Sequence, residues 1–238
     1  MEKEFDEKVT SVCVDAGDYN VSIKTGRCCT VMGERLSEDF ENICVENGTL
    51  EIVRKKSSIF DRLFGKIGKD TNITIILTEG RYEQCIINNI SGDVNMEDGC
   101  RFENMRIDAV SGDISVDNAS VEGRAELSSV SGDIRINGLT CSNLKAKSTS
   151  GDVSVCGADV SGKLWLRTVS GMARLNNVLA EGIEIETISG DISGTLKGEY
   201  AYSVHSVSGA VFVPESVGAR HCDVHTTSGS VKIREDGR

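Results

Sequence analysis

Five aspartates share one local setting: Asp93, Asp113, Asp133, Asp152 and Asp191 each follow a Ser-Gly dipeptide. Two carboxylates held about 5–10 Å apart are what glycoside hydrolysis requires, provided that their environments drive their pKa values apart. Five similar copies with no distinct acidic partner point instead to a structural ladder. The nine-residue calcium-solenoid repeat is absent, so a ladder also explains them better than a calcium site. His205 and His225 are expected to stack on successive turns of the chain with Glu186 and Asp223 beside them, a candidate transition-metal quartet. Stacked surface imidazoles without a metal are the plain alternative. Trp165, the single tryptophan, is expected to point outward near Lys145, Lys147 and Arg167, as a platform for a sugar ring or partner or under a loop. The nine cysteines form no CxxC pair and no metal-ligand spacing, and read as reduced core thiols.

Composition narrows the function classes. The chain has 238 residues, 39% of them hydrophobic, which excludes a disordered polymer. A formal charge of −11 argues against nucleic-acid binding, which needs clustered cations. Only 3 histidines and 1 tryptophan leave little material for a general-base or stacking site, and no cofactor is expected. The first residues, MEKEFDEKVT, carry no apolar signal region, and no run approaches the ~20 apolar residues of a membrane span. The expected location is therefore cytoplasmic, with peripheral membrane contact left open.

The elements that position these groups come from a repeat. Ser-Gly recurs with its glycine at Gly92, Gly112, Gly132, Gly151, Gly171, Gly190, Gly209 and Gly229, every 19 or 20 residues. After each glycine two apolar positions alternate with a polar one, as in Val94/Met96, Ile114/Val116, Ile134/Ile136 and Val153/Val155. A second alternating pair precedes it, as in Cys85/Ile87, Met105/Ile107, Leu164/Leu166 and Cys222/Val224. Period-two alternation denotes a strand with one buried face. One such unit is too small to hide its apolar face, so units must stack at ~4.8 Å in parallel. The predicted fold is all-β: a right-handed parallel β-helix (β-solenoid) of about eight 19–20-residue rungs with an N-terminal β-rich cap. Glycine at the corner serves either positive φ or close backbone approach.

Residues 1–80 lack the repeat and form the expected cap, and 81–238 form the solenoid. Asn47-Gly48 signals a hairpin in the leader. Residues 54–69 are basic, and with Ile59, Phe60, Leu63, Phe64 and Lys66 they read either as a loop packed on the body or as a short amphipathic membrane or partner segment. At the other end the rung from Cys222 to Ile233, followed by five mostly charged residues, is expected to be the exposed last layer and a homodimer contact.

The repeated (T/S)-(V/I)-SGD-(V/I)-x-(V/I) units, after a leader ending in Ile73–Leu77, resemble a bacterial family of unknown function labelled "putative adhesin", or β-strand-repeat-containing. The resemblance spans essentially the whole chain. It implies a β-helix in bacterial proteins, some linked to the envelope or its stress regulation, and offers no catalytic residues to carry over. The functional expectation is a non-enzymatic interaction or scaffold protein. The alternatives are an envelope-stress-linked or self-assembling scaffold and, less favoured, a polysaccharide-active enzyme.

Overall fold

The computed structural model describes residues 2–55, 71–215 and 218–236. The leader forms β1 (Glu2–Phe5), β2 (Ser11–Gly17), β3 (Asn20–Gly26), β4 (Cys29–Gly33), one helical turn, α1 (Leu36–Asp39), then β5 (Phe40–Glu46), β6 (Thr49–Arg54) and β7 (Asn72–Thr78). The repeats begin with β8 (Tyr82–Asn89), β9 (Val94–Met96), β10 (Arg101–Ala109), β11 (Ile114–Asp117), β12 (Ser120–Ser129) and β13 (Ile134–Asn137). They continue through β14 (Thr140–Ser148), β15 (Val153–Cys156), β16 (Asp159–Thr168), β17 (Ala173–Thr187) and β18 (Ile192–Leu196). Last come β19 (Tyr200–Ser208), β20 (Val211–Phe212), β21 (Arg220–Ser228) and β22 (Val231–Glu235). The result is an all-β, solenoid-like stack.

Two parallel sheets run along it. In one, β8, β10, β12, β14, β16 and the second half of β17 follow each other, aligning Ile87, Ile107, Leu127, Ala146, Leu166 and Ile185. In the other, β9, β11, β13, β15, the first half of β17 and β18 align Val94, Ile114, Ile134, Val153, Ala173 and Ile192. All twelve side chains are buried, within one continuous apolar cluster from Phe5 to Ile233. The alternation seen in the sequence is thus the inward face of each strand.

Spatial order departs from chain order at both ends. Near the start, β2 pairs in parallel with both β6 and β8, and β3 with both β7 and β9. The β2–β3 level therefore lies between the β6–β7 and β8–β9 levels, and the parallel register reaches back past residue 81. Outside it the strands reverse: β1 pairs antiparallel with β4, and β4 with β7. β5 pairs antiparallel with β6 across Asn47 (φ 50) and Gly48 (φ 78), the expected hairpin. Arg54 is held by Asp18 at 2.7 Å, and Lys55 donates to the Glu38 carbonyl at 2.6 Å. The rest of the basic segment, with Ile59, Phe60, Leu63, Phe64 and Lys66, lies outside the described residues.

At the far end the last two repeats are interchanged. The second half of β17 pairs with β21, and β21 in turn with β19. β18 pairs with β22, and β22 with β20. Residues 220–235 thus fill a level between β17–β18 and β19–β20. This corrects the expectation that Cys222 to Ile233 form the exposed layer: Cys222, Val224, Val231 and Ile233 are buried, whereas Val211 and Phe212 are exposed. The level left at the edge is the one whose second strand is the shortest of the repeats, β20, and it runs directly into Val213 and Pro214, the only proline, which has no N–H for a ladder.

The glycine corners obey the same order. A Cβ built on Gly112 would lie 1.9 Å from the Gly92 carbonyl oxygen, and the sequence continues through Gly132, Gly151, Gly171 and Gly190, each against its predecessor at 1.9–2.1 Å. Gly229 then sits on Gly190 at 2.2 Å and Gly209 on Gly229 at 2.1 Å. Close approach requires glycine in all of them, and positive φ only at Gly209 (139°) and Gly229 (156°). The second corner is different. There Asn118, Gly138, Gly157 and Asn177 take φ between 43° and 67°, and a Cβ on Gly157 would meet only ordinary contacts, the nearest at 3.8 Å. Gly132→Ala should therefore lower the unfolding free energy by about 2–3 kcal/mol. Gly157→Asn, which copies Asn118 and Asn177 of the same column, should change it by less than about 0.5 kcal/mol, both read from urea titrations against the wild type.

Candidate functional surface

The Ser-Gly-Asp corner consumes its own polar groups. The Asp93 carboxylate accepts the Asp113 N–H at 3.0 Å, Asp113 accepts that of Asp133 at 2.8 Å, and Asp133 that of Asp152 at 2.9 Å. Asp152 accepts from Met172 and Asp191 from Ser230, both at 2.8 Å. Each carboxylate thus satisfies an amide one level away, in the interchanged order at the end. Arg135 spans Asp113 at 2.8 Å and Asp133 at 2.7 Å, and Arg174 holds Asp152 at 2.7 Å, so the repulsion between stacked charges is offset.

An inward polar column, missed in the sequence reading, stands three residues before the glycine. The Ser129 hydroxyl donates to the Gly112 carbonyl at 3.2 Å and accepts the Gly132 N–H at 2.9 Å. Ser148 and Thr168 repeat this at 2.9–3.0 Å. Asn89 closes the first corner by donating to the Gly92 and Tyr19 carbonyls. Its signal was present in Asn89, Ser129, Ser148, Thr168, Thr187 and Thr226, polar residues in an otherwise apolar inward series.

The histidines do stack. Their ring centroids are 5.0 Å apart at 14°. The column reads Arg167, Glu186, His225, His205, because β21 lies inside β19. Glu186 is engaged by Arg167 at 3.5 Å, and Asp223 belongs to the neighbouring column, between Glu184 and Ser203. Residues two apart along a strand are separated by about 6.6 Å, which keeps Asp223 out of the imidazole column. Among the described residues no group of three or more His, Cys, Asp or Glu is placed to hold a metal ion, so the quartet is not assembled. The column borders an open groove of about 550 Å³, with Ile188, Val207 and Thr227 on its other side.

Trp165 is half-buried, with the Lys145 ammonium 4.7 Å from its ring centroid and Lys147 in register with Arg167. One face of the indole is thus already taken by a cation. All nine cysteines are free. Burial pushes the thiols of Cys141 and Cys222 up to about 12 and that of Cys100 up to about 11, which unfits them as nucleophiles.

A different feature stands out on the surface. Two residues before each corner glycine an outward column carries Ile90, Val110, Val130, Thr149, Val169, Ile188, Thr227 and Val207 in spatial order. Ladder hydrogen bonds link its consecutive levels, from Ser111 to Ile90, Ser131 to Val110 and Ser150 to Val130. Five of its members are among the exposed large hydrophobic residues: Ile90, Val110, Val130, Ile188 and Val207. A mostly apolar stripe, interrupted at Thr149 and Thr227, therefore follows one corner along the stack.

These features define a class: a repeat-built, all-β, solenoid-like protein whose corner motif is structural. Residues 9–234 match the family described as Toastrack DUF4097, and the chain belongs to that family. Among solved structures it is similar to a "putative adhesin" of Bacteroides fragilis, at 14% identity and TM-score 0.59, over 99% of this chain and 96% of that one. It is also similar to a "putative lipid binding protein" of Parabacteroides distasonis, at 13% identity and TM-score 0.54, with the same coverage of 99% and 96%. No curated protein sequence is significantly similar to the chain. No described helix is long and apolar enough to cross a membrane.

The Asp ladder makes stability depend on pH. Desolvation alone would raise the Asp113 and Asp152 carboxyls. Hydrogen bonds from Arg135, Arg174 and the amides of Asp133 and Met172 outweigh it and hold both below the usual carboxylate range. A group depressed in the folded state contributes stability above its unfolded pKa and loses it as pH falls through the folded value. Acid unfolding followed by circular dichroism should therefore begin at higher pH in Arg135→Leu than in the wild type.

Proposed function

We propose that the chain is a non-enzymatic interaction module, an adhesin-like β-solenoid scaffold of the bacterial kind, that meets its partner along the apolar corner stripe. The observation that carries this reading is the stripe itself. Exposed Ile or Val stands at five of the eight levels of this column, at Ile90, Val110, Val130, Ile188 and Val207, while most other exposed positions are polar. Contiguous exposed apolar surface with a polar rim is characteristic of contact sites. Its rim consists of the corner serines and the Asp ladder on one side and the column containing Arg167 and Glu186 on the other.

The polysaccharide-enzyme alternative loses ground on the same geometry. Its candidate acids, Asp113 and Asp133, spend their oxygens on backbone amides and Arg135, and both lie in one repeated setting. Support for the adhesin-like reading also comes from the neighbour of that description, whose likeness concerns the fold. We take the winding as right-handed with eight rungs of 19–20 residues, because parallel crossovers strongly favour that hand.

The test sets wild type against a Val110→Lys, Val130→Lys double variant on immobilised envelope proteins, lipid vesicles and cell-wall polysaccharide. Both substitutions are on exposed positions, so the fold should persist. Retention on one of these surfaces by the wild type, reduced at least tenfold in the variant, is expected. Equal retention would remove the stripe from the function, and release of new sugar ends would replace the reading with an enzymatic one.

A further inference from the structure

We infer that the β19–β20 end of the stack is a self-association surface, closed by a second copy of this chain applied through the same end. The inference goes beyond the stripe reading, because it concerns the end of the solenoid and not its side.

The level formed by β19 and β20 has a neighbour on one side only. Among the described residues β19 pairs with β21 alone and β20 with β22 alone, leaving an outer edge in both sheets. The side chains on that level are correspondingly uncovered. Val207 is 84% exposed, Phe212 63% and Val211 42%, while Val204 is only partly buried although it packs on the core. A parallel stack ending in this way presents both backbone hydrogen-bonding groups and apolar cross-section to water.

Charge identifies the occupant. From Tyr200 through Pro214 no Asp, Glu, Lys or Arg occurs, in a chain that is 26% charged and carries a net −11. This is the longest such run in the sequence. Two copies of an acidic protein can meet here without opposing carboxylates, and a neutral surface is complementary to itself. The opposite end does not fit it. There the outer strands β1 and β5 run antiparallel to their neighbours and carry Glu2, Glu4, Glu41 and Glu46 against the single cation Lys3. A head-to-tail contact would desolvate four carboxylates against Val207 and Phe212, and the β19–β20 level supplies no Lys or Arg to add to Lys3. A two-fold contact avoids this. It sets β19 antiparallel to the β19 of the second copy, extends both sheets by the ordinary ladder and closes the assembly at two.

Sedimentation velocity on the full chain across the micromolar range tests the inference, with Val207→Lys and Phe212→Glu as variants. Both positions are exposed, and circular dichroism verifies that the variants fold. The expected result is a wild-type dimer whose dissociation constant rises at least tenfold in each variant, and an unchanged dimer in the Val110→Lys, Val130→Lys double variant. A wild type that stays monomeric, a dimer indifferent to both end substitutions, or open-ended oligomers would each overturn it. None of those outcomes touches the stripe reading, which the envelope-binding comparison decides separately.

Discussion

The stack depends on how closely two backbones can pass at the glycine corner. A carbonyl oxygen from one level occupies the space that a Cβ of the next level would need, at about 2 Å from its ideal position. Any side chain there would push the levels apart and pull the flanking strands out of hydrogen-bonding distance. From that contact the rest of the motif follows. The tight corner leaves amides pointing along the stack, and the aspartate after the glycine accepts the one above it. The hydroxyl three residues before the glycine bridges two corners from inside. The paired arginines Arg135 and Arg174 let the carboxylate column exist.

The residues that looked catalytic in the sequence are therefore accounted for by architecture. Repetition was the clue, since a reacting pair needs two unlike environments and a ladder needs identical ones. The imidazole pair shows the same logic from the other direction. His205 and His225 face the same way because they hold the same position in successive repeats, whether or not anything binds them. What the scaffold does not use internally is the outward apolar column and the uncovered end.

Columns were legible in the sequence and levels were not. Period-two alternation and constant spacing place Ile87, Ile107 and Leu127 on one buried line, because side-chain direction is local. Which repeat stacks on which is a non-local matter. All eight repeats offer nearly the same apolar pair, so the register between levels is degenerate and chain order is the natural assumption. Two weak signals break the degeneracy, a proline that cannot donate to a ladder and a run without charge, and both belong to the repeat displaced to the edge. The metal quartet failed for a related reason. His225 and Asp223 are close in sequence yet occupy separate columns, and Glu186 meets His225, not His205, once the levels are interchanged. The leader was readable as strands and a hairpin, but its parallel levels pair with residues far along the chain, as Val21 does with Val94.

The interchange at the β17–β22 end bears on how the molecule is made. Translation delivers residues 200–212 before residues 220–235, so the outermost level leaves the ribosome while its only neighbour does not yet exist. Two level spacings, about 9.6 Å, then separate β18 from the position β20 will hold, and the second half of β17 from that of β19, too far for a backbone hydrogen bond. The growing solenoid can zip up one turn at a time only as far as β18. Beyond that, β19 and β20 have no partner until β21 and β22 dock on β17 and β18, so the last two levels are laid down in the reverse of chain order. The mirror-image arrangement of β2–β3 under β6–β7 leaves the opposite end free of this delay, since there the inner level is synthesised first.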